Sequence, residues 1–137
     1  MSKTPKSAPA FSLKTLGGAA PVFDLPVSIG RRDGDDVCIT LKVKGLRKSA
    51  WATHRDEHLA ALRIEGKAVD AEFSFAVQVG TGLKEHADLI AKAVVGWDLQ
   101  DPLTADNIVE LEDLVPGSIQ AILAKIDIAL FQGRLGN

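Results

Sequence analysis

A single cysteine, Cys38, is all the thiol chemistry this chain has. One thiol cannot close a bridge within the chain, so nothing points to a disulfide scaffold or an oxidising compartment. Aromatic side chains make up only 5% of the 137 residues. That is too few for the stacking platforms on which single-stranded nucleic acid is held. Neither sign of charge dominates: the net charge is −2 and the pI about 5.9. Such a balance supplies no field to draw in nucleic acid. No apolar run comes near the roughly 18 residues of a membrane span. Lys3 and Lys6 are followed by no apolar h-region, so no signal peptide is expected. What remains is ordinary globular composition, 46% apolar and 25% charged. At 14.6 kDa the chain is long enough to bury a core without staples. The expectation is a soluble, cytoplasmic protein with a flexible N-terminal tail over 1–20 and one domain over 21–137.

The small net charge hides an asymmetry. Residues 1–48 carry nine Lys/Arg against four Asp/Glu, whereas 49–137 carry seven against fourteen. Six acids and no base lie between Lys92 and Lys125. A solvated acidic face explains this, and so does an acidic half that meets the basic half of another copy or a basic partner.

Residues 22–44 carry the clearest pattern. Phe23, Leu25, Val27 and Ile29 alternate with polar residues or Pro, and Val37, Ile39, Leu41 and Val43 do the same. Alternation marks two half-buried strands, and Gly30 to Gly34 supplies the turn, which predicts an antiparallel β-hairpin. Pro26 has no N–H to donate, so the first strand is expected at an edge. Residues 48–65 read as a helix with Trp51, Arg55, His58, Leu59 and Leu62 near one stripe and Gly66 as its stop. Residues 68–80 satisfy two patterns. Phe73, Phe75, Val77 and Val79 alternate as in a third strand, while Phe75, Val79 and Leu83 fit a helix; the helix is preferred, in part for the resemblance given below. Residues 83–96 predict a helix with Leu83, Ala87, Ile90, Ala91 and Val94 on one face. Thr104 suits the N-cap of a short helix burying Ile108, Leu111 and Leu114. Pro116 suits the first turn of a last helix, with Ile119, Ile122, Leu123, Ile126 and Leu130 as its stripe. The fold class is therefore α+β: a hairpin of two strands, with room for a third, packed by about four helices.

Chemistry does not emerge from the motifs. His54-Arg55-Asp56-Glu57-His58 spells H-x-x-E-H, an inverted zinc-peptidase pattern. Two histidines one turn apart could ligate zinc and Glu57 could activate water, with Glu85 or His86 as third ligand. Such peptidases are much larger, and a charged helix face with incidental histidines explains the pattern better. Gly80-Thr81-Gly82-Leu83-Lys84 lacks the spacing of a phosphate cradle and reads as a loop or helix break. Asp98, Asp101 and Asp106 do not match a calcium loop and suit a helix N-terminus. Cys38 lies on the polar face of its strand and reads as a small filler. No cofactor, metal or catalytic residue is expected.

The C-terminal third adds what spacing alone does not. Val94-Val95-Gly96-Trp97-Asp98-Leu99, then Pro102 to Ile108 with Thr104, then Leu111, Leu114, Pro116-Gly117 and Ala121-Ile122 resemble the small tail assembly chaperones of long-tailed bacteriophages and prophages. The closing Gly133-Arg134-Leu135-Gly136-Asn137 is similar to the end of such proteins. The likeness covers roughly 92–137 well and 22–60 loosely, and Gly96, Trp97, Asp98, Thr104, Pro116 and Gly117 are its motif positions. Trp97 fits core or surface, and core is preferred because a buried tryptophan organises a small domain.

The resemblance implies a non-enzyme that binds the phage tape measure protein in the host cytoplasm during tail assembly. It would keep that long helical chain soluble, help recruit tail tube subunits, and be absent from the mature tail. The role needs a reversible grip on apolar helical segments, expected between the hairpin and the amphipathic helices. Homo-oligomers are a further expectation from the charge asymmetry and the edge strand. The alternatives are a connector protein retained in the tail, or a small zinc hydrolase using His54, Glu57 and His58.

Overall fold

The alternation over 22–44 builds the hairpin as read. A computed structural model describes residues 10, 12–16, 21–68 and 74–135. Strand β1 (Val22–Ile29) pairs antiparallel with β2 (Val37–Lys44), from Val22 opposite Lys44 to Ile29 opposite Val37. Leu25, Val27 and Ile29 of β1 and Ile39, Leu41 and Val43 of β2 are buried on one face. Around the hairpin stand α1 (Leu13–Leu16), α2 (Lys48–Ala68), α3 (Phe75–Ala93), β3 (Val94–Trp97), α4 (Ala105–Leu114) and α5 (Ser118–Gln132). This is the expected α+β class with its four longer helices. The expected tail lies mostly outside the described residues.

The sheet has three strands in the order β1-β2-β3, so β1 is an edge. Pro26 explains how it sits there. Its partner Thr40 sends its own N–H away from β1, to Asp98 Oδ1 at 3.0 Å. Pro26 and Thr40 are therefore a non-hydrogen-bonded pair, and the missing N–H of Pro26 falls on the open edge. The edge is thereby interrupted for any further strand.

The third strand is not where the alternation of 68–80 offered one. Residues 69–73 lie outside the described residues, and 75–80 are helix. The predicted helix over 83–96 ends instead at Ala93, and Val94–Trp97 turn into β3. Val94 is extended, with φ −111° and ψ 128°, while its N–H still bonds the Ile90 carbonyl. Four residues are too few to show an alternation, and Val94 stands four after Ile90, so it extends the helical stripe on paper. Val43 pairs with Val94 and Lys42 with Gly96, so Val95 is the extra residue of a bulge. Helix α2 also departs from its predicted end, running through Gly66 to Ala68. One glycine costs a helix only about 1 kcal/mol, and Lys67 and Ala68 are good formers.

One apolar cluster holds these elements together. It joins the six sheet residues to Trp51 of α2, Ala87, Leu89, Ile90 and Ala93 of α3, Val94, Ile108 of α4, and Ile119, Ile122 and Ile126 of α5. Helix α5 packs on β1 and α3 on β3, which fixes the helices over the sheet. Some expected core positions fall outside it: Leu59 is 51% and Leu114 68% exposed, and Ala91 is exposed as well.

The turn from α4 to α5 is held by a carboxylate. Thr104 caps α4, accepting the Asn107 N–H at 3.1 Å. Pro116 stands one residue before the N-cap of α5 and not in its first turn; the cap is Gly117, with φ 99°. That left-handed conformation suits glycine and strains other residues. A glycine cap brings no side-chain acceptor, and Glu112 of α4 supplies one. Its Oε2 accepts the Gly117 N–H at 2.9 Å and its Oε1 the Ile119 N–H at 2.7 Å. Two charge-assisted bonds at a helix start are worth more than a neutral cap. Glu112→Ala is expected to cost about 1–2 kcal/mol. Urea unfolding checks this, and an unchanged midpoint would deny the clamp its role.

Candidate functional site

Helices α2 and α3 pack against each other and bring the three histidines into one region. The two histidines of the H-x-x-E-H pattern then diverge. His54 Nδ1 lies 3.5 Å from Glu57 Oε1, and its ring stands edge-on to Trp51. His58, only 9% exposed, turns across the seam, and its Nε2 hydrogen-bonds His86 Nδ1 at 2.8 Å. Glu57 is shared with Lys92 at 3.8 Å. Among the described residues no group of three or more His, Cys, Asp or Glu side chains is placed to hold a metal ion. The zinc-hydrolase arrangement is thus not assembled among the described residues, although His86, one of its two candidate third ligands, does meet His58.

The imidazole pair has a pH signature. A bond between two ring nitrogens needs one donor and one acceptor, so it is lost when both rings are protonated. Burial is the first cause holding His58 below its usual value of 6.5, followed by His86 and Arg55. Burial also lowers His86, aided by Arg55 and opposed by Glu112 and Glu85. The folded protein therefore favours the neutral rings. Their contribution is fully present above about pH 6.5 and is lost as pH falls below it. Unfolding free energy measured from pH 7.5 to 5 is expected to fall with acid in the wild type. His86→Gln should flatten that slope; an equal slope would place the titrating group elsewhere.

Beside the histidines lies a groove of about 520 Å³ between α2, α3 and α5, walled by Leu83, Ile119 and Leu123 and by Arg55, Glu112 and Asp127. No strand residue lines it, so it is not the groove expected between hairpin and helices. A smaller notch of about 390 Å³ does lie between the hairpin loop and the α4–α5 turn. The groove's charges are already paired. Asp127 accepts Trp51 Nε1–H at 2.8 Å through one oxygen and Arg55 Nη2–H at 3.0 Å through the other. Trp51 itself is fully buried. The sequence places Trp51 and Arg55 on one stripe but does not single out Asp127, one of several polar residues on a largely apolar helix.

The first turns of α3 are exposed throughout. Val77 is 45% and Val79 55% exposed. The glycine segment 80–82, expected as a loop or break, is helix interior. A methyl group built on Gly80 or Gly82 meets nothing within 4 Å. No packing among the described residues requires either glycine, so Gly80→Ala and Gly82→Ala are each expected to stabilise the protein by up to about 1 kcal/mol. Thermal melts decide this, and a loss of stability would mean that the helix is not formed there.

The motif positions take structural places. Gly96 and Trp97 lie in β3, opposite Lys42 and Leu41. Trp97 is half-buried against the core, and its Nε1–H donates to the Asp101 carbonyl at 2.6 Å. Asp98 holds the Thr40 N–H, Thr104 caps α4, and Pro116 and Gly117 make the turn into α5. Asp106 sits in the first turn of α4. Asp98 and Asp101 instead serve β2 and Trp97. Cys38 is exposed, so it fills no space in the core.

Comparison with known proteins gives one clear likeness. The sequence model of a family described as phage tail assembly chaperone matches residues 10–137. No curated protein matches, and no solved structure does. No single helix among the described residues is long and apolar enough to cross a membrane.

Proposed function

The chain belongs to the phage tail assembly chaperone family, and from that premise we propose that it binds the tape measure protein of a long-tailed phage while the tail is built. It keeps that chain soluble in the host cytoplasm, presents it to tail tube subunits, and departs before the tail matures. The role is one of binding and release, with no bond made or broken in the client.

The family match over nearly the whole chain carries this reading. Surface chemistry supports it. Val77 and Val79 on α3 and Leu59 on α2 put aliphatic side chains in water. Exposed apolar side chains on helices suit a grip on apolar helical segments, and a modest area keeps the grip reversible. Co-expression tests the reading. A tape measure chain that pellets when made alone is expected to stay in the supernatant, and to co-purify, when this protein is made with it. A client equally insoluble with and without its partner would overturn the proposal.

A further inference from the structure

Two surfaces of this molecule match each other in chemistry. The first is its beginning. Residues 1–20 contain Lys3, Lys6 and Lys14 and no acid. Within that stretch α1 leaves Leu13 92% and Leu16 67% exposed. The side-chain hydrogen bonds of its turn are local, between Ser12 and Thr15. The second is α4. Asp106, Glu110 and Asp113 are exposed and stand four and three residues apart, on one helix face. Among the described residues none of the three forms an ion pair. Next to them Leu114, 68% exposed, borders the notch of about 390 Å³ together with Val115 and Pro116. The far wall of the notch is the hairpin loop, where Arg31 Nε turns back to the Asp35 carbonyl at 2.9 Å.

We propose that α4 and its notch receive the basic N-terminal segment of a second copy of this chain, with Leu13 and Leu16 in the notch and the lysines along the acidic face. Charge complementarity selects this occupant. The acidic face of α4 repels the acidic half of another copy and attracts a terminal stretch that has bases, no acids and two exposed leucines. Strand pairing is a poorer route to the same end, because Pro26 interrupts the open edge of β1. The contact joins two different patches, so copies add head to tail and do not stop at a dimer. Its area is small and its charges exposed, which makes it weak and sensitive to salt. None of this depends on which client the chaperone holds.

Sedimentation of the full chain tests it, from about 10 μM to about 1 mM protein, the range in which contacts of micromolar to millimolar Kd assemble. In low salt the weight-average mass is expected to climb past that of two copies. In about 0.5 M NaCl the association should weaken at least tenfold, since exposed charges are then screened. Two variants define the contact. Leu13→Asp with Leu16→Asp removes the plug, and Glu110→Lys with Asp113→Lys removes the socket. All four positions are exposed, and circular dichroism verifies that both variants fold. Each alone is expected to be monomeric, and their equimolar mixture to stop at a one-to-one dimer, because one plug and one socket remain. A wild type that stays monomeric at about 1 mM in low salt overturns the proposal. So does a variant that assembles like the wild type, or a mixture that stays monomeric or passes beyond the dimer.

Discussion

Trp51→Ala is expected to remove about 3–5 kcal/mol of stability. The side chain is fully buried among core residues of the sheet and helices. Truncation loses the transfer energy of the ring and leaves a cavity that a core fixed by β-strands cannot close. It also deprives Asp127 of the indole N–H that it accepts at 2.8 Å. Domains of this size are stable by only about 5–15 kcal/mol, so the loss is a large share of the total. Urea unfolding followed by far-ultraviolet circular dichroism measures the loss. Trp51→Phe separates the two causes, because it keeps most of the volume and deletes the donor. Its expected cost is about 1–3 kcal/mol, from the smaller ring in a packed core and the lost bond to a carboxylate that keeps Arg55 and some water. A loss under about 1 kcal/mol for Trp51→Ala would place the tryptophan outside the core.

Asp127→Ala is the second large effect, at about 2–4 kcal/mol. One carboxylate serves two donors there, the indole of Trp51 and the guanidinium of Arg55. The indole has no access to water, so its N–H loses its partner with nothing to replace it. Arg55 is different. The Arg55 and Asp127 side chains are 32% and 28% exposed, and water screens much of that pair. Arg55→Ala should therefore cost less than Asp127→Ala. Asp127→Asn, which can still accept the indole bond, should fall between them. The double variant Trp51→Phe with Asp127→Ala should cost less than the sum of its parts, since both remove the same bond. Simple additivity in that cycle would show that the bond does not form in solution.

The hairpin was legible because its two strands alternate over a full eight residues each and Pro26 marks the edge. The α4 cap and the α5 stripe were legible for similar local reasons: Thr104 precedes a run with helical spacing, and isoleucines recur along α5. Strand β3 was not. Its four residues carry no alternation, and Val94 continues a helical stripe, so only pairing with β2 decides its conformation. That pairing is a long-range fact, set by Leu41, Lys42 and Val43 more than fifty residues earlier. The polar contacts beneath the groove were hidden for the same reason. Asp127 meets Trp51 across 76 positions of sequence, and His58 meets His86 across 28. H-x-x-E-H described local spacing on α2, but the fold spends His58 on α3. Glu112 likewise looked like one more acid in an acidic stretch, until the αL glycine beside it left two N–H groups to accept.

Quantitative mass spectrometry across tail assembly tests the central claim most directly. The account predicts that this chain accompanies the tape measure protein in lysates where tails are being built, and that purified finished tails contain none of it. Copies present in finished tails at a fixed ratio to the tape measure protein would contradict it and make the chain a component of the particle.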